Sequence, residues 1–113
     1  MNEISIYEQV FAAGCVFNGV MRRAALVKLI AATGEGRVRY EAAVTFFPHS
    51  DDEDYAISYD AYFSKVLYDA PGRRSKKRER QFFDELRGHI DELAKKAGGE
   101  VMWDRPLRDP RFA

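Results

Sequence analysis

The densest run of charged side chains in this sequence is basic. Residues 73–80 hold six cations and one acid, Glu79; the cations are Arg73, Arg74, Lys76, Lys77, Arg78 and Arg80. Clustered cations of this kind bind the phosphate groups of nucleic acids or an acidic protein surface. The run therefore predicts an anion-binding surface. The alternative is a solvated helix start, since exposed charges are screened over about 8–10 Å.

An acidic segment precedes the basic run. Residues 51–69 contain six acids against Lys65 alone: Asp51, Asp52, Glu53, Asp54, Asp60 and Asp69. The two segments carry opposite net charges of similar size, so they could pair within one chain or between two copies in an isologous dimer. An acidic loop also repels polyanions. Binding to nucleic acid is therefore a weaker hypothesis than self-association.

The residues that usually carry catalysis or bind metals are sparse. His49 stands beside the acids of 51–54, but the run lacks the ligand spacing of a calcium loop. His89 falls at the border of a predicted helix stripe, and nothing around Cys15 predicts a lowered thiol pKa. We expect no catalytic residue, no metal and no cofactor, and the sequence has no glycine-rich phosphate loop.

Tyrosines are the remaining candidates. Tyr55, Tyr59, Tyr62 and Tyr68 occur within fourteen residues, and Trp103 precedes a proline-containing tail. Exposed aromatic side chains on a sheet can stack on bases, but they are also favoured at protein interfaces. We expect part of this set to lie in the core and the exposed members to form an interface.

Composition limits the architecture that must position these residues. The 113 residues fit one α+β domain, 1–113, with a tail from about 104 expected to be extended and partly mobile. Basic and acidic residues are equal in number, 18 each, so no global field favours a polyanion or a membrane. One cysteine and an N-terminus without a signal-peptide pattern favour a cytoplasmic location.

Two segments predict a β-hairpin. In residues 37–47, alternate positions are apolar and share one face: Val38, Tyr40, Ala42, Val44 and Phe46. Residues 22–33 are ambiguous by propensity, but the Gly34–Gly36 loop favours a strand paired with 37–47. Residues 55–69 predict two short strands, with a change of parity near Asp60-Ala61.

The sequence predicts the secondary structure of the C-terminal part more clearly than that of the N-terminal part. Residues 75–97 carry apolar side chains at helical spacing and predict a long helix. Ser75 is its expected N-cap, and Gly98-Gly99 are expected to end it. Residues 3–13 are compatible with a strand, but their spacing favours a helix. A turn at Asn18-Gly19 and a short strand over 100–103 complete the prediction.

The predicted fold is a two-layer α+β domain: an antiparallel sheet of about four to five strands with one long C-terminal helix packed on one face. The predicted function is a small binding module without catalysis that associates with itself as a homodimer, or with another protein. Nucleic-acid or phosphate binding through residues 73–80 is the first alternative. A small enzyme with a pocket of tyrosine, histidine and acidic residues is the second.

Overall fold

A computed structural model describes residues 2–11, 16–17, 20–21, 24–47, 61–103 and 106–107. Four long elements dominate these ranges: the strands β1 (Asn2–Phe11), β4 (Ala24–Gly34), β5 (Arg37–Phe47) and β6 (Ala61–Pro71). The helix α1 spans Lys76–Lys96. Three two-residue strands complete the set: β2 (Val16–Phe17), β3 (Val20–Met21) and β7 (Gly99–Glu100).

The long strands form one antiparallel sheet in the order β1-β4-β5-β6, and α1 packs across one of its faces. The short strands form a second sheet in the order β3-β2-β7. The predicted α+β fold, an antiparallel sheet of about four to five strands with one long helix packed on it, is confirmed, and the sheet has four strands. No helix in the described ranges is both long and apolar enough to cross a bilayer.

The β4–β5 hairpin turns more tightly than the sequence suggested. Gly34 is the last residue of β4 and pairs with Arg37, so the turn consists of Glu35 and Gly36 alone. Both have positive φ, 53° and 72°. Positive φ at both central residues is typical of the type I′ turn, whose twist suits an antiparallel pair. The strand predicted over 22–33 on the strength of this hairpin is confirmed for residues 24–33, and residues 22–23 lie outside the described residues.

The N-terminal segment is a strand, so the expectation of a helix over 3–13 is wrong. β1 pairs with β4, and its register shifts between Ser5 and Tyr7. This bulge leaves two successive residues, Ile6 and Tyr7, both buried, and Phe11 is buried further along. A bulge breaks the two-residue alternation of a strand, which is why the apolar spacing resembled that of a helix.

β6 also contains an irregularity, one that the sequence did not predict. Tyr68 pairs with Tyr40 while Val66 pairs with Glu41, so Leu67 is the extra residue of a bulge. Tyr68 consequently faces the helix, whereas Val66 faces away from it. Residues 55–60, with the predicted parity change at Asp60, lie outside the described residues.

The helix begins and buries its apolar stripe as predicted. Ser75 is the N-cap, and its Oγ accepts a hydrogen bond from the Arg78 backbone N–H at 3.3 Å. The stripe Phe82, Leu86, Ile90 and Ala94 is buried against the sheet. Burying each large apolar side chain stabilises the fold by about 1.5–3 kcal/mol. The helix ends before Gly98, which has a φ of 80°.

The chain after the helix returns to the core. β7 is shorter than the strand predicted over 100–103, but Val101 beyond it is buried. Further along, Leu107 packs against the core and the Gln9 Nε2 donates a hydrogen bond to the Pro106 carbonyl at 3.3 Å. Residues 104–105 and 108–113 lie outside the described residues, so the mobility expected for the tail stays a prediction.

Candidate functional site

The face of the main sheet opposite α1 is not covered by any of the described helices and strands. We call it the open face. Among residues whose side chains the structure describes, strand register places on it four of β1, five of β4, six of β5 and five of β6: Glu3, Ser5, Glu8, Val10, Leu26, Lys28, Ile30, Ala32, Gly34, Arg37, Arg39, Glu41, Ala43, Thr45, Phe47, Tyr62, Ser64, Val66, Asp69 and Pro71.

One end of the open face is apolar. Val10, Leu26, Thr45 and Tyr62 pair in sequence across the four strands and form a single row, the apolar row. Val10 is 45% exposed and Tyr62 54% exposed, and Val66, four residues along β6 from Tyr62, is 51% exposed. Five large apolar side chains are exposed in the described part of the chain, and these are three of them.

The other end of the open face carries ion pairs. Arg39 lies 3.8 Å from the Glu3 carboxylate and 3.3 Å from that of Glu41, and Arg37 binds Asp69 at 3.1 Å. Glu3, Ala32, Arg39 and Asp69 form a row across the strands, the charged row. Pairing these charges within one chain leaves this end of the face close to neutral.

The centre of the open face is built from small residues beside long ones. Ala32 lies opposite Arg39 and Ala43 lies opposite Lys28 in the register of β4 and β5. Both alanines are fully buried, and Ile30 is 8% exposed. The alternation flattens the middle of the face. A flat and nearly neutral surface is suited to packing against another sheet.

The basic helix start contains its own anionic partner. Arg74 Nε and Nη2 donate to the two oxygens of Glu79, at 2.9 and 2.8 Å. Glu79 is 6% exposed, and its Oε2 also accepts the phenolic proton of Tyr40 at 2.7 Å. The Tyr40 oxygen in turn accepts the Ser75 backbone N–H at 3.1 Å. A bidentate pair with every partner hydrogen-bonded is the arrangement that tolerates burial.

Burial and these hydrogen bonds shift two pKa values in the cluster. Burial, followed by the hydrogen bond to Glu79, raises the pKa of Tyr40 above its ordinary value of 10.0. The hydrogen bond to Glu79 raises the pKa of Arg74, so this guanidinium stays charged. The cluster joins β5 to the first turn of α1 through hydrogen bonds and so stabilises the fold.

The other predicted cations have different surroundings. Arg78 stacks on Tyr68, with its Cζ 4.2 Å from the ring centroid. The other four, Arg73, Lys76, Lys77 and Arg80, are exposed, and none forms an ion pair with an acid of the described ranges. A shallow depression of about 190 Å³, lined by Ser75, Lys77, Arg78 and Gln81, lies among them.

Of the six acids predicted to form the acidic segment, the structure describes Asp69. Asp69 pairs with Arg37 on the open face rather than with the basic helix start. Asp51 to Asp54 and Asp60 lie outside the described residues. The strands that flank them, β5 and β6, meet at Phe46 and Ala61, and the basic helix start follows the opposite end of β6. Those two ends of β6 pair with Phe46 and Arg37 of β5 and are about 30 Å apart.

The aromatic candidates divide between core and surface. Tyr62 lies exposed on the open face, whereas Tyr68 packs against Tyr40 and Phe82 on the helix side. Tyr55 and Tyr59 lie outside the described residues. Trp103 is half-buried: its Nε1 donates to Asp91 at 2.7 Å.

A groove of about 480 Å³ lies beside Trp103, between the second half of α1 and residues 99–103. Its wall contains two cations, Arg87 and Lys95, and two acids, Asp91 and Glu100. Arg87 lies over the Trp103 ring and Asp91 accepts the Trp103 proton. Two of the four charged side chains are therefore engaged in holding Trp103.

One of the two histidines lies in the described part of the chain. His89 Nε2 lies 3.6 Å from the Glu85 carboxylate and makes no hydrogen bond. No group of three metal-ligating side chains occurs there. His49 and Cys15 lie outside the described residues. No protein-family model, curated protein or solved structure matches the chain.

Proposed function

We propose that this chain is a small interaction module without catalysis that binds a second copy of itself through the open face. The observation that carries the proposal is the apolar row: Val10 and Tyr62 are about half exposed on a face that no described element covers. Exposed apolar patches on a folded domain mark interaction sites.

We also propose a cytoplasmic location for this chain, which its single cysteine supports.

Size and charge favour a second sheet as the occupant of this face. Its four strands of ten or eleven residues, spaced about 4.8 Å apart with ~3.3 Å per residue, project roughly 700 Å². A standard interface buries about 800 Å² per partner, a value that protruding side chains bring within reach. The face carries four acids and three bases, so two copies would meet without strong repulsion.

Association through the sheet edges is less favoured than association through the face. Both edge strands, β1 and β6, contain a bulge, which interrupts the row of backbone groups that a new strand would pair with. Lys65 on β6 points to the helix side and binds Glu92 at 3.1 Å, and Pro71 ends that strand. Charges and prolines on edge strands are common protections against edge pairing.

Sedimentation velocity over a range of concentrations tests this proposal. We expect a reversible dimer for the wild-type chain and a shift toward monomer for Tyr62→Glu, because a carboxylate in the apolar row would be desolvated on association. Met102→Glu is the matched control: Met102 is 45% exposed but lies outside the open face, so its dimer should match wild type. If Tyr62→Glu dimerises as well as the control, the open face is not the interface.

Polyanion binding is the second candidate function, and the four exposed cations of the helix start favour it. Fluorescence anisotropy with a labelled oligonucleotide at low salt is the test. Binding that weakens steeply as salt rises, and that Lys77→Glu with Arg80→Glu abolishes, would support this function. Absence of binding at low salt would exclude polyanion binding as a function of this chain.

A further inference from the structure

We infer that the two copies pack with their two-fold axis parallel to the strands, giving a four-layer helix–sheet–sheet–helix dimer in which β1 of each copy lies over β6 of the other. This inference rests on the proposed self-association. It follows from the way in which apolar and charged side chains are separated along the open face.

The separation runs along the strands. The apolar row contains Val10 of β1, and the charged row contains Glu3 of the same strand, seven residues away. One of those seven residues belongs to the β1 bulge, so the two rows are six positions apart on β4, or about 20 Å at ~3.3 Å per residue. Between them the face is mixed, with Ile30 and Ala43 beside Glu8 and Lys28.

A face-to-face dimer can place its two-fold axis along the strands or across them. An axis along the strands places each row of one copy opposite the same row of the other copy. The apolar row of one copy therefore meets the apolar row of the other. When the two faces overlap fully, an axis across the strands reverses the row order, so Val10 meets the charged row with Arg39 and Asp69. The second arrangement desolvates paired charges against apolar side chains, which costs free energy with no new partner. An axis across the strands at the apolar row itself would keep that row in contact with its copy but leave most of each face uncovered, well below the area of a standard interface.

The charged row determines where the contact is tightest. With the axis along the strands, Glu3 of one copy approaches Asp69 of the other, and these two acids repel. Arg37 and Arg39 pair with these acids within each chain, but removing the pairs from water on association costs free energy. The charged row lies near the rim of the overlap, where bridging water can remain. The apolar row is then the dry part of the contact, and the charged row stays hydrated.

Cysteine cross-linking distinguishes the two axes. Glu8 and Ser64 are both exposed, occupy one row next to the apolar row and lie on opposite edge strands. The variants Glu8→Cys and Ser64→Cys, each made with Cys15→Ser, leave Val10 and Tyr62 intact. A short bismaleimide suits the separation of about 10 Å between packed sheets.

With the axis along the strands, a mixture of the two variants gives a cross-linked dimer and neither variant alone does. The lateral distance between equal positions is then three strand spacings, about 14 Å, in addition to the layer spacing. Cross-linking of each variant alone, with no additional heterodimeric product in the mixture, would overturn the inference in favour of the axis across the strands.

Failure of the inference is separable from failure of the proposed function. A sedimenting dimer that Tyr62→Glu dissociates, but in which neither experiment gives a cross-link, contradicts the proposed axis and leaves open-face association standing. A chain that sediments as a monomer at every concentration contradicts both. Circular dichroism of Glu8→Cys and Ser64→Cys that matches wild type establishes that the variants are folded.

Discussion

Arg74 and Glu79 form two parallel hydrogen bonds at the start of the helix, and the same carboxylate accepts the proton of Tyr40. Cations at a helix N-terminus are unfavourable because the helix dipole is positive there. Glu79 is the acid that compensates for part of this charge, and it comes from within the basic run itself. The remaining four cations are exposed.

Replacing Glu79 by glutamine should destabilise the domain. The variant leaves Arg74 without its charge partner and removes the acid from the first helical turn, so we expect a loss of about 2–3 kcal/mol in the free energy of unfolding. That figure is below the value for a fully buried pair because the Arg74 side chain is 38% exposed. Urea denaturation measures it.

Asp84→Asn is the control for this measurement, since Asp84 is an exposed acid of the same helix. We expect it to stay within about 0.5 kcal/mol of wild type. A Glu79→Gln variant as stable as Asp84→Asn would show that the buried cluster does not stabilise the helix start.

The stability of the domain should decrease at alkaline pH through Tyr40. Because burial raises the Tyr40 pKa above 10.0 in the folded state, the unfolded chain loses this proton at a lower pH than the folded chain does. The contribution of Tyr40 is therefore complete below the unfolded pKa and is lost as pH rises through the folded pKa. Denaturation at a series of alkaline pH values should show a steeper loss for wild type than for Tyr40→Phe. Parallel curves would contradict the buried hydrogen-bonded state.

The helix dipole predicts opposite effects for one substitution at the two ends of α1. Lys77 and Lys95 are both exposed, in the first and last turns of the helix. Lys77→Glu should raise the free energy of unfolding by about 0.3–1 kcal/mol, and Lys95→Glu should lower it by a similar amount. Thermal denaturation of both variants at low salt measures the two effects. A decrease for Lys77→Glu would mean that this lysine already has an anionic partner.

The turn between β4 and β5 should not tolerate a side chain at its second position. Gly36 has a φ of 72°, and its ideal Cβ position is sterically open, so the cost of Gly36→Ala comes from backbone strain alone. We expect a loss of about 1 kcal/mol in the free energy of unfolding. The matched control is Gly88→Ala, in the exposed middle of α1, which should stabilise the helix by up to about 1 kcal/mol. Equal effects for the two variants would contradict the turn geometry.

The sequence predicted best where one periodicity runs without interruption. The alternation Val38, Tyr40, Ala42 identified the buried face of β5, and the helical stripe identified α1. Two bulges defeated the same reasoning elsewhere. The extra residue in β1 made a strand look helical, and the extra residue Leu67 moved Tyr68 to the helix side. A bulge is fixed by pairing with a neighbouring strand, which one strand's periodicity does not reveal.

Two features of the candidate sites were also not predicted, and only one of them left a signal in the sequence. Glu79 was missed as the partner of Arg74, although its position three residues before Phe82 and seven before Leu86 places it on the apolar stripe. An acid on a buried stripe is a signal that a partner lies nearby. The apolar row had no such signal. Val10, Leu26, Thr45 and Tyr62 come from four strands, and only their register brings them together.

Light scattering on the purified wild-type chain tests the central claim most directly. The proposed open-face dimer predicts twice the mass of one chain at micromolar concentration, decreasing toward one chain on dilution. It also predicts the mass of a single chain for Val66→Lys with Tyr62→Glu, two changes confined to the open face. A wild-type mass of one chain at every concentration, or an undiminished dimer in the double variant, would contradict the account.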